Sequence, residues 1–237
     1  YVFHLYPNFD YLFILSLILA SIGFWIVSTI KNRQPKIEKR NEPLSLDRFF
    51  LIKGWRAGVS IACFAFAYGL LSTYLAIYGK EVLGITGGTG AYFMLLAIGL
   101  MASRLVGSRT LRQGKVTRNA SIGVIISLIG YTLFAGVHDM WAYYASAIII
   151  GLGNGHMFPA YQTMFINLAP HTQRGTANST LLISWDLGMG LGILLGGVVS
   201  ELIGYQVAFW VAVAMECVGV TTFFTLVRIH FLTHKVR

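Results

Sequence analysis

Long runs of apolar residues, separated by shorter polar stretches, extend along this chain. Seven of these runs are about as long as the roughly 20 residues that an α-helix needs to cross a ~30 Å bilayer core. They cover Tyr11–Ile30, Gly54–Tyr78, Gly90–Ser108, Ala120–Val137, Trp141–Leu168, Thr176–Ser200 and Tyr205–Val227. None shows the period-two alternation of a membrane β-strand. The pattern predicts an all-α, polytopic membrane protein of about seven transmembrane helices. Pro159 is expected to kink the fifth helix without ending it, because apolar sequence continues on both sides.

Positive charge alternates from one connection to the next. Of the 18 lysines and arginines, all but Lys80 fall in or beside the connections after the first, third, fifth and seventh spans. By the positive-inside rule these connections are cytoplasmic. We therefore expect a multi-pass protein of the bacterial inner membrane, with Tyr1 outside and the C-terminus in the cytoplasm.

One connection is long and polar. Residues 31–53 carry Pro35, Pro43 and charges of both signs, a composition typical of a linker between two halves. Six spans follow this linker and one precedes it. The single preceding span suggests that sequence is missing upstream.

Composition narrows the function classes. Hydrophobic residues make up 56% of the 237 residues and charged residues 11%, with a mean hydropathy of +0.67. A water-soluble domain averages about 25% charged residues. The net charge of +9 does not indicate nucleic acid, because the chain has too little polar surface to present it. Cys63 and Cys217 lie in apolar runs and are expected to be small core residues.

The sixth span holds the densest candidate chemistry. Asp186 sits nine residues, roughly 14 Å, above the start of the helix, near the bilayer midplane. A carboxylate at that depth faces a cavity or a partner, or makes a buried structural hydrogen bond. Gly188, Gly192 and Gly196 share one face and are expected to let another helix approach closely.

The fifth span offers a partner for this carboxylate. His156 lies ~16 Å above the cytoplasmic end, at a depth similar to that of Asp186. A carboxylate and an imidazole at one depth can exchange a proton. The alternative is a structural histidine bonded to a backbone carbonyl freed by Pro159. Thr163 continues the polar face of His156, as Ser179 does for Asp186. The predicted substrate or proton pathway comprises Asp186, His156, Asn154, Gln162, Thr163, Ser179, Tyr68 and Tyr74.

Other polar residues within the spans have simpler interpretations. Tyr68 and Tyr74 suit the wall of a wet cavity, although tyrosine is also common at membrane interfaces. Glu216, at the centre of the seventh span, is expected to be protonated and hydrogen-bonded. Arg104 lies near the cytoplasmic end of its span, where its side chain can snorkel to the interface.

Four features together resemble the C-terminal half of a major facilitator superfamily transporter of the arabinose-efflux-permease or drug-exporter type. The stretch from Gly107 to Lys115 (GSRTLRQGK) is similar to the family's cytoplasmic G-x-L-x-D-R-x-G-R loop, although Leu111 stands where the motif has its aspartate. The stretch from Gly151 to Gly155 with Pro159 resembles the tenth helix, and the stretch from Arg174 (RGTANST) with Asp186 resembles the eleventh. The basic linker is the fourth feature.

The resemblance implies a fold and a function. Residues 1–30 would be the last helix of an N-terminal half, 31–53 the cytoplasmic linker and 54–237 a six-helix bundle. The whole transporter would move a small solute by alternating access, by proton-coupled efflux or as an uptake permease. Its expected partners are a small-molecule substrate, H⁺, the lipid bilayer and the missing N-terminal half. The cytoplasmic gate motif would comprise Gly107, Arg112, Gly114, Lys115, Arg104 and Arg174.

Other seven-helix functions fit the residues less well. A seven-helix receptor or retinal protein is one alternative. A retinal Schiff base needs a lysine within the membrane, and no predicted span contains one, which removes the pigment. An intramembrane serine protease could pair Ser184 with His156, but Ser184 lacks a glycine-flanked elbow. The six histidines are scattered rather than clustered as a metal site requires. We expect neither an enzyme nor a cofactor or metal.

Overall fold

The computed structural model describes residues 9–29, 50–85 and 87–235, and within these ranges the chain is helical without strands. Most of the predicted linker, 31–53, lies outside the described residues. The long helices are α1 (Phe9–Ser28), α2 (Trp55–Glu81), α3 (Thr89–Arg112), α4 (Val116–Gly136), α5 (Met140–Leu168), α6 (Arg174–Leu202) and α7 (Tyr205–Thr222). A π-helical turn, Phe223–Val227, joins α7 to α8 (Arg228–His234). The all-α polytopic prediction is confirmed.

The helices match the seven apolar runs, and several extend past them. In the described part of the chain, five helical segments are long and apolar enough to cross a membrane: Ile52–Glu81, Thr89–Arg112, Val116–Gly136, His171–Leu202 and Tyr205–His234. The apolar stretch of α1, Phe13–Ser28, is shorter. The 29-residue α5 is long enough but carries Asn154, His156 and Gln162 in its interior. It runs unbroken through Pro159, as expected.

The chain divides into two compact units, Tyr1–Pro43 and Leu44–Arg237. In the first unit, α1 is an apolar helix with Asp10 in its first turn. In the second, α5 packs against α3 and α4, while α2 packs against α6 and α7. Contacts between α4 and α7 and between α5 and α6 join these two groups into one bundle.

Glycines allow the helices of the bundle to approach closely. A Cβ atom on Gly188 would meet the backbone carbonyl of Ala62 in α2, and one on Gly192 would meet that of Phe66. On Gly196 it would lie 2.7 Å from the Leu70 side chain. The predicted glycine face of α6 is therefore the surface that packs on α2, since only a residue without a side chain fits there.

Two hydrophobic clusters form the core of the bundle. One surrounds Phe64, Tyr161 and Phe165, and the other contains Tyr78 and Phe134, whose ring centroids are 5.0 Å apart.

A buried polar contact crosses this core. Glu216 of α7 is fully buried, and the hydroxyl of Ser127 in α4 donates a hydrogen bond to its Oε1 at 3.2 Å. The predicted hydrogen bond to this carboxyl is thus present, and it links α7 to α4.

Within the unit Leu44–Arg237, two helices expose far more apolar surface than the others. In α3 the exposed large side chains are Met94, Ile98, Met101, Leu105 and Val106. In α6 they are Leu182, Ile183, Leu187, Leu191, Leu194, Leu195, Val198 and Leu202. Only 28% and 22% of the most apolar stretches of these two helices are buried within the chain, against 61% for α2.

Candidate functional site in the helical bundle

Asp186 lies in the middle of α6, on the side away from the glycine face. It lies two positions before Gly188, and in an α-helix a step of two positions is a rotation of about 200°. Its side chain is exposed, and within the described residues it has no hydrogen bond or ion pair. Ser179, two turns earlier, is also exposed, as the shared face predicts.

His156 points in a different direction. A Cβ atom on Gly107 of α3 would lie 2.8 Å from the His156 Nδ1, so the imidazole is packed against α3. The Nδ2 of Asn119 in α4 donates a hydrogen bond to the His156 backbone carbonyl at 2.9 Å. The His156 Nδ1 is buried and has no hydrogen-bond partner among the described residues. The structure therefore does not join His156 to Asp186, because the ring packs against α3 whereas the Asp186 side chain is exposed on α6.

Another predicted pathway residue, Gln162, lies at the contact between α5 and α6. The Nε2 of Gln162 donates a hydrogen bond to the Oδ1 of Asn178 at 3.0 Å, which links the two helices. The hydroxyl of Thr163 donates to the Pro159 carbonyl at 2.8 Å, within its own helix. Asn154, two residues before His156, is buried.

An aromatic cluster, which we call the Trp185 cluster, joins three helices. The Trp185 ring of α6 lies 5.7 Å from that of Tyr68 in α2 and 5.3 Å from that of Phe158 in α5, measured between centroids. All three side chains are partly exposed. Trp185 directly precedes Asp186. The chain thus places an aromatic surface beside an exposed carboxylate about midway along α6.

Tyr74 has a packing role in the structure. Its hydroxyl donates a hydrogen bond to the Ile193 carbonyl of α6 at 2.9 Å, and its ring lies 6.1 Å from that of Tyr205, measured between centroids. A Cβ atom on Gly197 would meet this hydroxyl. Tyr74 therefore holds α2 against α6 about two helical turns beyond the Trp185 cluster.

A cavity of about 350 Å³ opens between α3, the start of α4 and α5. Its lining includes Arg104 and Gly107 of the predicted gate motif and Gln162 of the predicted pathway. The remaining lining residues are Ser108, Leu111, Asn119, Gly155, Phe158 and Pro159. Phe158 belongs to both this cavity and the Trp185 cluster, so the two features adjoin.

The gate motif forms the turn between α3 and α4. Gly114 has a φ of +73°, a conformation that residues with a side chain rarely adopt. The Gly114 N–H donates to the Leu111 carbonyl, and the Lys115 N–H to that of Thr110. These two bonds are the Schellman pattern that ends a helix at a glycine. The backbone geometry of Gly114 therefore ends α3, with Arg112 as its last residue.

Arg174, the other predicted gate residue, begins α6. Its Nε is buried without a hydrogen-bond partner in the part of the chain that the structure describes.

Two asparagines of this region were not predicted individually. Asn178 lies within the RGTANST stretch, and Asn119 follows the basic turn. Neither position carries a spacing signal that indicates an interhelical hydrogen bond.

Comparison with known proteins places these features in a family. The family model described as Major Facilitator Superfamily matches residues 114–233. An uncharacterized MFS-type transporter of Pseudomonas aeruginosa (strain UCBPP-PA14) is 26% identical over 173 residues, which are 72% of this chain and 42% of that protein. The uncharacterized MFS-type transporter YhhS of Salmonella enteritidis is 23% identical over 181 residues, 74% of this chain and 43% of its own length. The chain thus spans less than half of these relatives.

Solved structures share the fold. A crystal structure of a peptide transporter POT in complex with sulfate has a TM-score of 0.65 at 17% identity, over 78% of this chain and 40% of that one. A bacterial homolog of the human lysosomal transporter Spinster, in an inward-facing and unoccupied conformation, also has a TM-score of 0.65, at 15% identity. It is matched over 93% of this chain and 58% of its own. The family match over half of the chain shows that this protein belongs to the major facilitator superfamily.

Proposed function

We propose that this chain carries the C-terminal half of a secondary active transporter that exports a small amphipathic solute in exchange for protons. Residues 1–30 would supply the last helix of the N-terminal half, 31–53 the linker and 54–237 the C-terminal bundle. The observation that carries the proposal is the Trp185 cluster beside the exposed Asp186 carboxylate. Family membership and the transporter names of the relatives support transport as the class of function.

The Trp185 cluster suits the apolar body of an amphipathic solute. Aromatic faces bind flat or cationic groups through stacking and cation–π attraction. The adjacent Asp186 has no competing cation within the described residues. An isolated carboxylate at mid-membrane depth can bind either a cationic substrate group or a proton, and this competition is the physical basis of exchange.

The exposed apolar faces of α3 and α6 support a second bundle as partner. In a transporter built from two repeats, the substrate site lies at the interface between them near the bilayer midplane. Asp186 is on the exposed side of α6, so a second bundle that covers this helix would complete the site around it. Alternating access would then occur by rocking of the two bundles about this site.

In the expected orientation, the α3–α4 turn and the C-terminus lie in the cytoplasm of a bacterium. Arg104, Arg112, Lys115 and Arg174 then lie at the inward-facing end, where their charges can pair with the second bundle. His156, packed behind Gly107, would act on this end by positioning α3 against α5.

The test is proton-driven transport by the complete gene product in everted membrane vesicles, with ethidium as a flat cationic probe. We expect Asp186→Asn to lower accumulation at least about 10-fold, because it removes the charge without changing the shape of the side chain. Glu201→Gln is the matched control, since Glu201 is an exposed carboxylate at the far end of the same helix. Its transport should match that of the wild-type protein.

Two further variants locate the site. Trp185→Ala should weaken ethidium binding without abolishing proton movement, whereas His156→Ala tests whether the imidazole takes part in proton transfer. Unchanged flux in both Asp186→Asn and His156→Ala would overturn the proposed pathway. Accumulation in right-side-out vesicles instead of everted ones would overturn the direction of transport.

A further inference from the structure

A second groove lies on a different side of the bundle, between the first turns of α4 and the π-helical turn after α7. Its volume is about 470 Å³. The α4 side is formed by Thr117, Arg118, Ser121, Ile122 and Ile125, and the α7–α8 side by Phe224 and Arg228. None of these residues belongs to the Trp185 cluster or to the 350 Å³ cavity.

The groove has an unbalanced positive charge. Arg118 and Arg228 lie on different helices and are both exposed. Neither guanidinium has a hydrogen bond or an ion pair with any residue that the structure describes. Two like charges on one groove repel each other, and an anion between them converts that repulsion into attraction. An arginine pair is also the preferred protein ligand for a phosphate group.

The groove also contains two hydroxyl groups near Arg118, those of Thr117 and Ser121. The Ser121 hydroxyl donates to the Thr117 carbonyl at 2.8 Å, within α4. The Thr117 hydroxyl makes no hydrogen bond among the described residues, so it has a donor to offer beside Arg118.

The rest of the groove is apolar and leads toward the centre of the helix. Ile122 and Ile125 lie four and seven residues after Arg118, or about 6 Å and 10 Å along α4. Both are exposed, and Phe224 faces them from the other side. A charged mouth above an apolar wall has the profile of a phospholipid, with the phosphate outermost and an acyl chain running inward.

The π-helical turn explains how Arg228 reaches the groove. Each π turn inserts an extra residue, so Arg228 is rotated about the axis relative to its position in an uninterrupted α-helix. Phe223 and Val227 of this turn are buried in the core, whereas Phe224 lines the groove. Such turns are frequent at functional sites.

We propose that this groove binds the phosphate of an anionic phospholipid between Arg118 and Arg228, with one acyl chain against Ile122, Ile125 and Phe224. The occupant is a lipid rather than free phosphate because the charged end continues into an apolar wall on a membrane-spanning face. It is an anionic lipid because two unpaired cations are left without a neutralising carboxylate among the described residues. The proposal does not depend on the proposed transport function.

The test is native mass spectrometry of the purified protein in detergent, titrated with dioleoylphosphatidylglycerol. Arg118→Gln with Arg228→Gln should weaken binding about 30-fold, since each cation near an anionic lipid contributes on the order of 1 kcal/mol. The matched control is Arg109→Gln with Lys235→Gln, which removes the same charge from exposed positions outside the groove. The control should bind the lipid as the wild-type protein does.

Two further measurements test whether the ligand is a lipid and whether it binds in this groove. Ile125→Trp fills the apolar wall and keeps both arginines, so it should also weaken lipid binding while leaving the elution volume of the protein unchanged. Dioleoylphosphatidylcholine should bind weakly, and millimolar inorganic phosphate should not displace the anionic lipid. Equal losses in the groove and control variants, wild-type binding by Ile125→Trp, or displacement by free phosphate would each overturn the proposal.

Discussion

Gly107 shows how a single missing side chain sets the position of a titratable group. A Cβ atom there would lie 2.8 Å from the His156 Nδ1 and 3.1 Å from the Asn119 Oδ1. The imidazole is therefore seated in the space that a larger residue would occupy. This contact couples the gate motif of α3 to the polar interior of α5, because any enlargement at 107 must move the ring.

We predict that Gly107→Val destabilises the protein by about 1–3 kcal/mol through overpacking. His156→Ala should reduce that cost in the double variant, because it removes the imidazole ring that the valine side chain would clash with. The thermal stability of the two single variants and of the double variant is measured in detergent, with the loss of monodisperse elution as the readout. The three values form a double-mutant cycle. Gly175→Val is the control, because a Cβ atom there meets nothing within 4 Å. Additive effects of Gly107→Val and His156→Ala would contradict the coupling.

At the scale of elements, the contact between α2 and α6 depends on the face of α6 that each glycine occupies. Gly188 and Gly192 face the α2 backbone, whereas a Cβ atom on Gly190 would have no neighbouring atom within 4 Å. The same residue type thus has two different roles at positions two residues apart. Helix geometry separates them, since a step of two residues is a rotation of about 200°.

Alanine substitutions at these glycines should have different effects on stability. We predict that Gly192→Ala lowers stability by about 1–3 kcal/mol, because its methyl group would push α6 away from the Phe66 carbonyl. Gly190→Ala should be neutral or stabilising by up to about 1 kcal/mol, since alanine favours the helix. Melting temperatures in detergent provide the measurement. A Gly192→Ala protein as stable as Gly190→Ala would show that α2 and α6 do not pack through this face.

The glycine turn that ends α3 leads to a related prediction. Gly114→Ala should cost about 1 kcal/mol, because its φ of +73° is unfavourable for a residue with a Cβ atom. Gly90→Ala in the first turn of α3 is the control, since it has a helical conformation and open space around the position of a Cβ atom. A loss of thermal stability at Gly90 equal to that at Gly114 would argue against the left-handed turn.

At the scale of the molecule, the exposed apolar faces of α3 and α6 raise the question of whether a second bundle or lipid covers them. Both kinds of surface are apolar, so hydropathy alone does not separate them. Their response to a bulky side chain does, because a packed interface rejects added volume whereas lipid flows around it.

We predict that Leu194→Trp on α6 abolishes co-purification of this chain with a separately expressed N-terminal half. Ile129→Trp, on the exposed face of α4, should leave it intact. The two side chains are exposed to a similar degree, 68% and 54%, so the comparison isolates what covers each face. Affinity purification through a tag on one half measures the result, and equal recovery of both variants would contradict the two-bundle arrangement.

The sequence predicted the positions of the helices well, but it did not predict which side chains contact one another. Apolar length is a local property, and it sufficed to predict seven helices. The orientation inferred from the distribution of lysine and arginine stays a prediction. The spacing of Gly188, Gly192 and Gly196 also predicted a close helix contact, because residues four apart must share a face. The resemblance of the stretch from Gly107 to Lys115 to a family loop led to the correct family.

Only the tertiary structure decided which side chains meet. His156 and Asp186 have similar predicted depths, yet one ring faces Gly107 and the other side chain is exposed on α6, because depth along a helix does not determine direction around it. Tyr74, expected in a cavity wall, bonds the Ile193 carbonyl. The Trp185 cluster and the pairing of Arg118 with Arg228 in one groove join residues far apart in sequence. Such contacts depend on how the helices pack around one another, which no local pattern of apolar and polar residues contains.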